Sequence, residues 1–507
     1  MDFLNAIIQQ NLEQWISPKS KFLLVLKKAL SKANNDDRCV VLFRILRKIH
    51  YTQQPLYGLL FLLKNKMKTF YNKKFLLQNV AEFSSILLTQ LNFKQEKLGN
   101  QLLKYLYLSN FNQLETINLG DNFLSYEGIK YLVNPSFLNL KEINLKNNKV
   151  CNDELELLSK GDFVNLENLN LNGIEINSEG TKFLTRGGFS KLKILSLKNN
   201  KLNNESIKNF SEGDWKNLNE LDFSCNEIGD QGVYYLSNSN LINLKSLNLN
   251  ENEIKSDGVK HITKGNFVNL VKLELSKNKI NYIGAIHLSA GTLPNLRSIN
   301  LSYNNLKNKG CQYMSKGVVH ELIELNLGGN NISDKGVKYL ATGNLQNLQI
   351  LGLYYNEITA EGAKNLSSGN LYNLISLNMK LNYIGEEGAR YLANGNLQNL
   401  QWLNLFRNKL NDEGVINVAN GNLINLQFLD LCRNNISDVG AKALALGTLI
   451  NINSLCLKNN NITNEGIKFL TLGNLNKLAY INLENNNFDS HGMAYLKLWN
   501  WTRLSCK

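Results

Sequence analysis

Histidine and cysteine are the residue types in this 507-residue sequence that could serve as bases, nucleophiles or metal ligands. The interval between His261 and His287 is the same as that from Tyr235 to His261 and from His287 to Tyr313. We therefore interpret both histidines as replacements for a packed aromatic ring rather than as metal ligands. No G-x-x-x-x-G-K-[ST], G-x-S-x-G or H-E-x-x-H motif occurs. The sequence predicts no enzyme, with no catalytic residue, metal site, cofactor or small-molecule substrate.

The cysteines fit reduced thiols better than a disulfide framework or a zinc site, because they are odd in number and irregularly spaced. They are Cys39, Cys151, Cys225, Cys311, Cys432, Cys456 and Cys506. The sequence also shows no signal peptide and no apolar run long enough to span a membrane. These features favour a cytoplasmic location.

The elements that would position these residues come from a 26-residue repeat. From Leu114 the string L-x-x-[LI]-x-L-x-x-N recurs with its Asn at whole multiples of this period, and the one missing Asn is replaced by Ile174. A Gly column keeps the same period, with Glu154 and Ser206 as departures. Fifteen repeats follow, and a degenerate copy precedes them. We expect about sixteen parallel strands, with irregular geometry near the three departures.

Each repeat predicts one short strand and one helix. In Leu351-Gly352-Leu353 the two leucines alternate with another residue, as expected for a strand, so both point to one face. Ile350, Gly352 and Tyr354 then lie on the other face. The helix follows the column Gly and ends at a second Gly, such as Gly395, which is expected in a left-handed conformation. Such units must stack to bury their leucines. The Asn column is predicted to bond buried backbone groups along that stack.

The repeated string resembles that of leucine-rich repeat proteins of the ribonuclease-inhibitor-like class, over residues 88–507. The resemblance implies an α/β solenoid, or horseshoe, with a parallel sheet on its concave side and helices outside. The class includes scaffolds, immune receptors, activators of the small GTPase Ran and effectors secreted by intracellular bacteria. We expect a non-enzymatic scaffold that binds a partner protein on the concave sheet. If the protein is a secreted bacterial effector, it would act in the cytoplasm of the host cell. A GTPase regulator of the Ran-activating type is the alternative.

The predicted partner-binding site comes from comparing the concave positions of successive repeats. In the first nine repeats these positions are small or polar, as at Asn118 and Asn144, with acidic residues at Glu220, Asp222, Glu274 and Glu324. Repeats ten to thirteen carry the residue types that dominate binding hot spots. These are Ile350, Tyr354, Tyr355, Lys380, Leu381, Trp402, Phe406, Arg407, Phe428 and Arg433. The alternative is that the rings pack on one another to stiffen the sheet, or contact the N-terminal domain.

The remaining sequence divides the chain into three parts. Residues 1–85 are predicted to form a basic α-helical domain, residues 86–113 a degenerate capping repeat, and residues 114–507 repeats one to fifteen with a C-terminal cap. Residues 1–100 hold 16 Lys+Arg and 6 Asp+Glu, so +10 of the total charge of +14 lies there. This domain would plug the end of the solenoid, or be attracted weakly to anionic membrane or nucleic acid.

Overall fold

The computed structural model describes residues 90–92, 94–95, 99–100, 103, 113–133, 137–317, 321–498 and 503–505. The predicted N-terminal domain, residues 1–85, lies outside the described residues, as does most of the capping repeat. Everything that follows concerns the described part of the chain.

A single sheet of seventeen parallel strands runs through the described residues. Each strand pairs with the next one along the chain, and the register advances by one repeat, as at Ile350↔Ser376. The last pairing, Tyr480↔Arg503, departs from the repeat frame. This additional strand follows the sixteen expected from the repeats. The strands are β1 (Gln90–Asn92), β2 (Thr116–Asn118), β3 (Glu142–Asn144), β4 (Asn168–Asn170), β5 (Ile194–Ser196), β6 (Glu220–Asp222), β7 (Ser246–Asn248), β8 (Lys272–Glu274), β9 (Ser298–Asn300), β10 (Glu324–Asn326), β11 (Ile350–Gly352), β12 (Ser376–Asn378), β13 (Trp402–Asn404), β14 (Phe428–Asp430), β15 (Ser454–Cys456), β16 (Tyr480–Asn482) and β17 (Arg503–Ser505).

Fifteen helices alternate with these strands in the described residues and pack against one another in chain order. Leu351, at the centre of β11, and Leu353 are both buried, whereas Ile350 is exposed, as the strand period predicts. The core therefore lies between the sheet and the row of helices. The helices are α1 (Tyr126–Leu132), α2 (Asn152–Ser159), α3 (Ser178–Arg186), α4 (Asn204–Ser211), α5 (Asp230–Ser237), α6 (Ser256–Lys264), α7 (Tyr282–Ala290), α8 (Lys307–Met314), α9 (Asp334–Thr342), α10 (Ala360–Ser367), α11 (Gly385–Asn394), α12 (Asn411–Asn420), α13 (Asp438–Leu446), α14 (Asn464–Leu472) and α15 (Ser490–Leu498).

The repeated asparagine makes the backbone hydrogen bonds that the sequence predicts. Asn356 is buried, and its Nδ2 donates to the carbonyl oxygens of Leu327 at 3.2 Å and Leu353 at 3.0 Å. Its Oδ1 accepts from the backbone N–H groups of Asn330 and Ile332, both at 3.0 Å. One amide thus joins two consecutive repeats, which confirms the predicted role of the column.

A second asparagine ladder runs along the other end of the strands, and the sequence analysis missed it. The Nδ2 of Asn399 donates to the carbonyl oxygen of Tyr372 at 2.9 Å, and that of Asn425 donates to Gln398 at 2.9 Å. A polar groove of about 1060 Å³ lies beside this ladder, lined by amides such as Gln401 and Gln427. Because the Nδ2 groups already donate to backbone carbonyl oxygens, we interpret the ladder as a structural feature and not as a binding site.

The glycine column is explained by a side chain from the preceding repeat. Asp334, the first residue of α9, accepts hydrogen bonds from the backbone N–H groups of Thr359 at 2.8 Å and Gly362 at 2.9 Å. A Cβ on Gly362 would lie 2.5 Å from Asp334 Oδ1, so only glycine fits there. Other repeats place Asn or Asp in this slot, as at Asn204, Asp230, Asp412, Asp438 and Asn464.

The departures from the glycine column cap their own helices. Glu154 accepts a hydrogen bond from the backbone N–H of Cys151 at 2.9 Å, and the Ser206 hydroxyl accepts from that of Asn203 at 3.1 Å. Ile174 supplies no amide, yet β4 keeps its register with β3 and β5. The expectation of irregular geometry near these three residues is therefore wrong for the sheet register: Glu154 and Ser206 cap their own helices, and the strands around Ile174 still pair in frame.

Irregular helix starts occur elsewhere, where the slot filled by Asp334 holds a different type of residue. Tyr282, Ala360 and Glu386 occupy it before α8, α11 and α12. These helices begin at residues with positive φ, namely 56° at Lys307, 61° at Gly385 and 51° at Asn411. Without an Asp or Asn from the preceding repeat to accept from its backbone N–H groups, the chain enters the helix through a left-handed residue; Glu386 accepts only from the Asn411 side chain.

The glycine that ends helices such as α11 is not left-handed, contrary to the expectation from sequence. Gly395 has φ −91° and is extended. A Cβ there would lie 2.3 Å from Ser367 Cβ and 2.6 Å from the Ser367 carbonyl oxygen. The residue is glycine because the preceding repeat passes too close for a side chain.

Candidate partner-binding surface

The candidate site lies on the open face of the sheet, which we define as the face turned away from the helices. It comprises the ten predicted residues of β11–β14 and the turns that follow them, and we call this set the aromatic patch. Ile350 is 41% exposed and Tyr355 is 58% exposed, while Trp402, Phe406 and Phe428 are half-buried. The structure therefore leaves large apolar side chains partly open to solvent.

Trp402 and Phe428 form the centre of the aromatic patch. They are in register on β13 and β14, with ring centroids 4.9 Å apart and ring planes 5° from parallel. Parallel neighbouring strands hold the two side chains one strand spacing apart, which lies within the range of centroid separations of offset-stacked rings. The structure thus brings these two predicted residues together.

Lys380 and Phe406 form a second contact two columns further along, beyond the column of Asn404. The Lys380 ammonium lies over the Phe406 ring, 4.7 Å from its centroid. A cation over a ring face is attracted by the ring quadrupole. The long side chain of Lys380 is therefore held on the face of the sheet beside the Trp402–Phe428 stack.

Tyr354 and Tyr355 pack with a third tyrosine that the sequence analysis did not include. The Tyr303 ring centroid lies 5.9 Å from that of Tyr354 and 6.2 Å from that of Tyr355. The rings lie close over Gly328 and Gly329, where an added Cβ would be 2.4 Å from Tyr354 and 2.6 Å from Tyr303. Desolvation raises the pKa of the Tyr303 phenol. The Gly-Gly pair was the signal in the sequence that could have revealed this cluster.

The outermost column of the patch has a left-handed backbone. Tyr355, Leu381, Arg407 and Arg433 have φ between 53° and 59°. Their N–H groups continue the ladder, as where Leu381 donates to the Phe406 carbonyl oxygen at 2.8 Å. The same conformation recurs once in each of the sixteen repeats, at Gln95, Asp121, Asn147, Gly173, Asn199, Cys225, Glu251, Lys277, Tyr303, Gly329, Tyr355, Leu381, Arg407, Arg433, Asn459 and Asn485.

The acidic residues of the earlier repeats are partly engaged within the sheet. Glu274 forms an ion pair with Lys272 at 3.1 Å and accepts a hydrogen bond from Asn300 Nδ2 at 2.8 Å. Glu324 accepts a hydrogen bond from the Ser298 hydroxyl at 2.7 Å. These contacts fix the carboxylates, so they offer a partner less free charge than their number suggests.

Two of the residues first considered for chemistry, His261 and Cys151, have a packing and a capping role. The His261 ring lies 5.1 Å from the Tyr234 ring in an edge-on arrangement, as expected for a residue in an aromatic slot. The Cys151 thiol donates to Glu154 at 2.9 Å, and this hydrogen bond raises the pKa of Cys151. A raised pKa disfavours the thiolate that a nucleophile needs.

Comparison with known proteins agrees with the repeat architecture. The family model described as "Leucine Rich repeat" matches residues 216–237, 240–262, 292–315, 321–341, 344–367, 396–419 and 422–445. The chain is a leucine-rich repeat protein. No curated protein matches it by sequence.

Among solved structures, the chain is similar to an internalin from Listeria monocytogenes at 21% identity, over 78% of this chain and 87% of that one, with a TM-score of 0.37. It is also similar to a leucine-rich repeat protein of Leptospira interrogans at 20% identity, over 80% of this chain and 98% of that one, with a TM-score of 0.38. Among the described residues, no helix has both the length and the apolar character needed to cross a bilayer.

Proposed function

We propose that the chain is a non-enzymatic scaffold that binds a partner protein through the aromatic patch. The observation that carries this proposal is the Trp402–Phe428 stack, which is half-buried at the centre of the aromatic patch. Repeat sheets of this kind offer extended binding surfaces, and exposed apolar clusters mark interaction sites. Burial of these rings by a partner would remove apolar area from water.

The arginines of the patch add a polar rim to this apolar centre. Arg407 and Arg433 are exposed. The arginines that form ion pairs in the described part of the chain are Arg297 and Arg390. Arg407 and Arg433 are thus unpaired within the described part, and we propose that they meet carboxylates of the partner in bidentate contacts.

A purely structural role for the rings is the competing explanation, since Trp402 and Phe428 already contact each other. The two explanations differ in what loss of the rings would change. A stiffening role predicts lower stability without an effect on binding. A binding role predicts lost binding with a stability change limited to the loss of half-buried ring contacts.

The test is affinity capture from cell extract by the full chain, followed by mass spectrometry and a direct affinity measurement with the purified partner. Trp402→Ala/Phe406→Ala should lose the partner that the wild type recovers. Tyr372→Ala is a matched control, because Tyr372 is an aromatic residue that is 50% exposed outside the patch. Circular dichroism must show equal folding of all three. Unchanged affinity of the double variant would refute the proposal.

More specific roles remain predictions from the sequence and from the resemblance. We propose cytoplasmic action, in the host cell if the chain is a secreted effector, and a basic domain at residues 1–85 that adds weak contact to anionic membrane or nucleic acid. A salt-dependent retention assay on liposomes and RNA, with the full chain, tests the latter. The Ran-type alternative predicts faster single-turnover GTP hydrolysis by a small GTPase when the chain is added.

A further inference from the structure

Two thiols and a carboxylate converge beside the aromatic patch, at the boundary between β14 and β15. Asp430 ends β14 and is in register with Cys456 on β15, and Cys432 follows two residues after Asp430. One carboxylate oxygen and the two sulfur atoms all lie within 4.8 Å of one another. Cys432 occupies the same column as Lys380 and Phe406, so the cluster adjoins the patch.

The cluster is already organised without a ligand. The Cys432 and Cys456 sulfur atoms lie 2.7 Å apart, so both thiol side chains are directed at one point between β14 and β15. Asp430 Oδ1 accepts from the backbone N–H of Cys432 at 3.0 Å, and Oδ2 accepts from Asn404 Nδ2 at 3.1 Å. These outer partners fix the carboxylate in the way that hydrogen bonds orient the ligands of metal sites.

The cluster is buried on one side and open to solvent on the other. Cys432 is 3% exposed, whereas Cys456 and Asp430 are half-buried and reach solvent. Three protein ligands with one open position are the arrangement of zinc sites that hold a water or an external ligand. Thiolates select thiophilic cations such as Zn²⁺ over Mg²⁺ or Ca²⁺.

We propose that Asp430, Cys432 and Cys456 form a binding site for a thiophilic divalent cation, Zn²⁺, with its fourth position open to water or to a side chain of a bound partner. Zn²⁺ enters as both thiols release their protons to solvent, so two thiolates and one carboxylate coordinate it. Tetrahedral coordination at about 2.3 Å per Zn–S bond places the two sulfurs roughly 3.8 Å apart. Rotation of the two short side chains by about 1 Å at sulfur provides that separation.

The carboxylate distinguishes this proposal from a redox pair. A disulfide between Cys432 and Cys456 would form without any part for Asp430. The Asp430 carboxylate would then lie beside an uncharged S–S bond. A cation uses all three groups and offsets the negative charge that arises when the two thiols lose their protons. The site is independent of the proposed partner binding, because its ligands all come from this chain.

The test uses the full chain, reduced and freed of metal under argon, with Co²⁺ as a spectroscopic probe and Zn²⁺ as competitor. We expect one equivalent of Co²⁺ to give a thiolate-to-cobalt charge-transfer band that Zn²⁺ abolishes, with two protons released for each cation. Cys432→Ser and Cys456→Ser should lose the band. Asp430→Asn should weaken Zn²⁺ binding by about tenfold or more.

Cys225→Ser is the matched control, because Cys225 is a half-buried thiol of the same sheet that lies outside the cluster. It should keep the band, and Zn²⁺ should raise the melting temperature of this variant and the wild type but not of Cys456→Ser. Absence of the band in the wild type, or its persistence in Cys432→Ser, would overturn the proposal. So would a Cys432–Cys456 disulfide that forms at the same rate with and without Zn²⁺.

Discussion

The carboxylate of Asp334 accepts a 2.9 Å hydrogen bond from the backbone N–H of Gly362, one repeat further along the chain. The same carboxylate accepts from the N–H of Thr359, which precedes the helix that contains Gly362. The first turn of a helix leaves N–H groups without partners inside that helix. Where the slot holds Asp or Asn, as at Asp334, the preceding repeat supplies the acceptor, so the start of the next helix depends on its neighbour.

Asp334→Ala should lower the free energy of unfolding by about 1–3 kcal/mol, because two N–H groups at the start of α10 lose their acceptor. Glu386→Ala is the control in the equivalent slot, where the carboxylate accepts an exposed hydrogen bond from the Asn411 side chain instead of from backbone N–H groups of the next helix. We expect it to be near neutral. Urea unfolding of both variants measures the difference, and equal losses would show that the slot does not cap the next helix.

Leu351→Ala and Leu403→Ala should each cost about 2–5 kcal/mol, because each removes a side chain that is buried between sheet and helices. Lys338→Ala, at an exposed position of α9, should be near neutral. Thermal and urea unfolding provide the comparison. A surface change as damaging as the two core changes would contradict the assignment of faces.

Leu381 has φ 59°, a conformation that β-branched residues tolerate least and that Asn adopts more readily than most. Leu381→Val should therefore cost about 1–2 kcal/mol, and Leu381→Asn should gain up to about 1 kcal/mol. Both remove part of the same half-buried side chain, so each serves as the control for the other. If the valine variant unfolded at the same urea concentration as the asparagine variant, the left-handed backbone would not be what limits this position.

Burial raises the pKa of the Cys311 thiol from 9.0 to about 12. Below pH 9.0 the thiol is protonated in both the folded and unfolded chains and contributes no pH dependence. Between these two values the unfolded chain loses a proton that the folded chain keeps. Stability should fall there by up to about 1.4 kcal/mol per pH unit.

Urea unfolding on either side of the ordinary thiol pKa, for the wild type and Cys311→Ala, isolates this contribution. The variant should show the flatter decline, because it lacks the buried thiol while all other alkaline groups remain. Parallel declines for the two proteins would show that Cys311 titrates normally in the folded state.

The repeat frame could be predicted from sequence because it rests on identities that recur in every period. Leu351 and Asn356 are of the same type in nearly every copy, so their burial and their bonding could both be predicted. The left-handed column could not, because Tyr355, Leu381 and Arg433 share no residue type. Backbone hydrogen bonds to the next strand set that conformation, and the residue types do not indicate these bonds.

Contacts between repeats were missed for a related reason. Asp334 and Gly362 belong to consecutive repeats, and neither residue alone indicates the bond between them. Asp430, Cys432 and Cys456 likewise match no spacing of metal ligands along one chain segment, since two adjacent strands bring them together. The ten residues of the aromatic patch were named from sequence, but the part of Tyr303, Gly328 and Gly329 in supporting Tyr354 became visible only in three dimensions.

The left-handed residue in each repeat allows the binding surface to change during evolution while the fold is kept. Hydrogen bonds from its backbone impose the same geometry whether the side chain is that of Cys225, Tyr355 or Arg433. A point substitution at this position changes the chemical character of the row while the leucine and asparagine frame stays intact. Single substitutions in this column can therefore change which partner is bound, without a step at which the protein no longer folds.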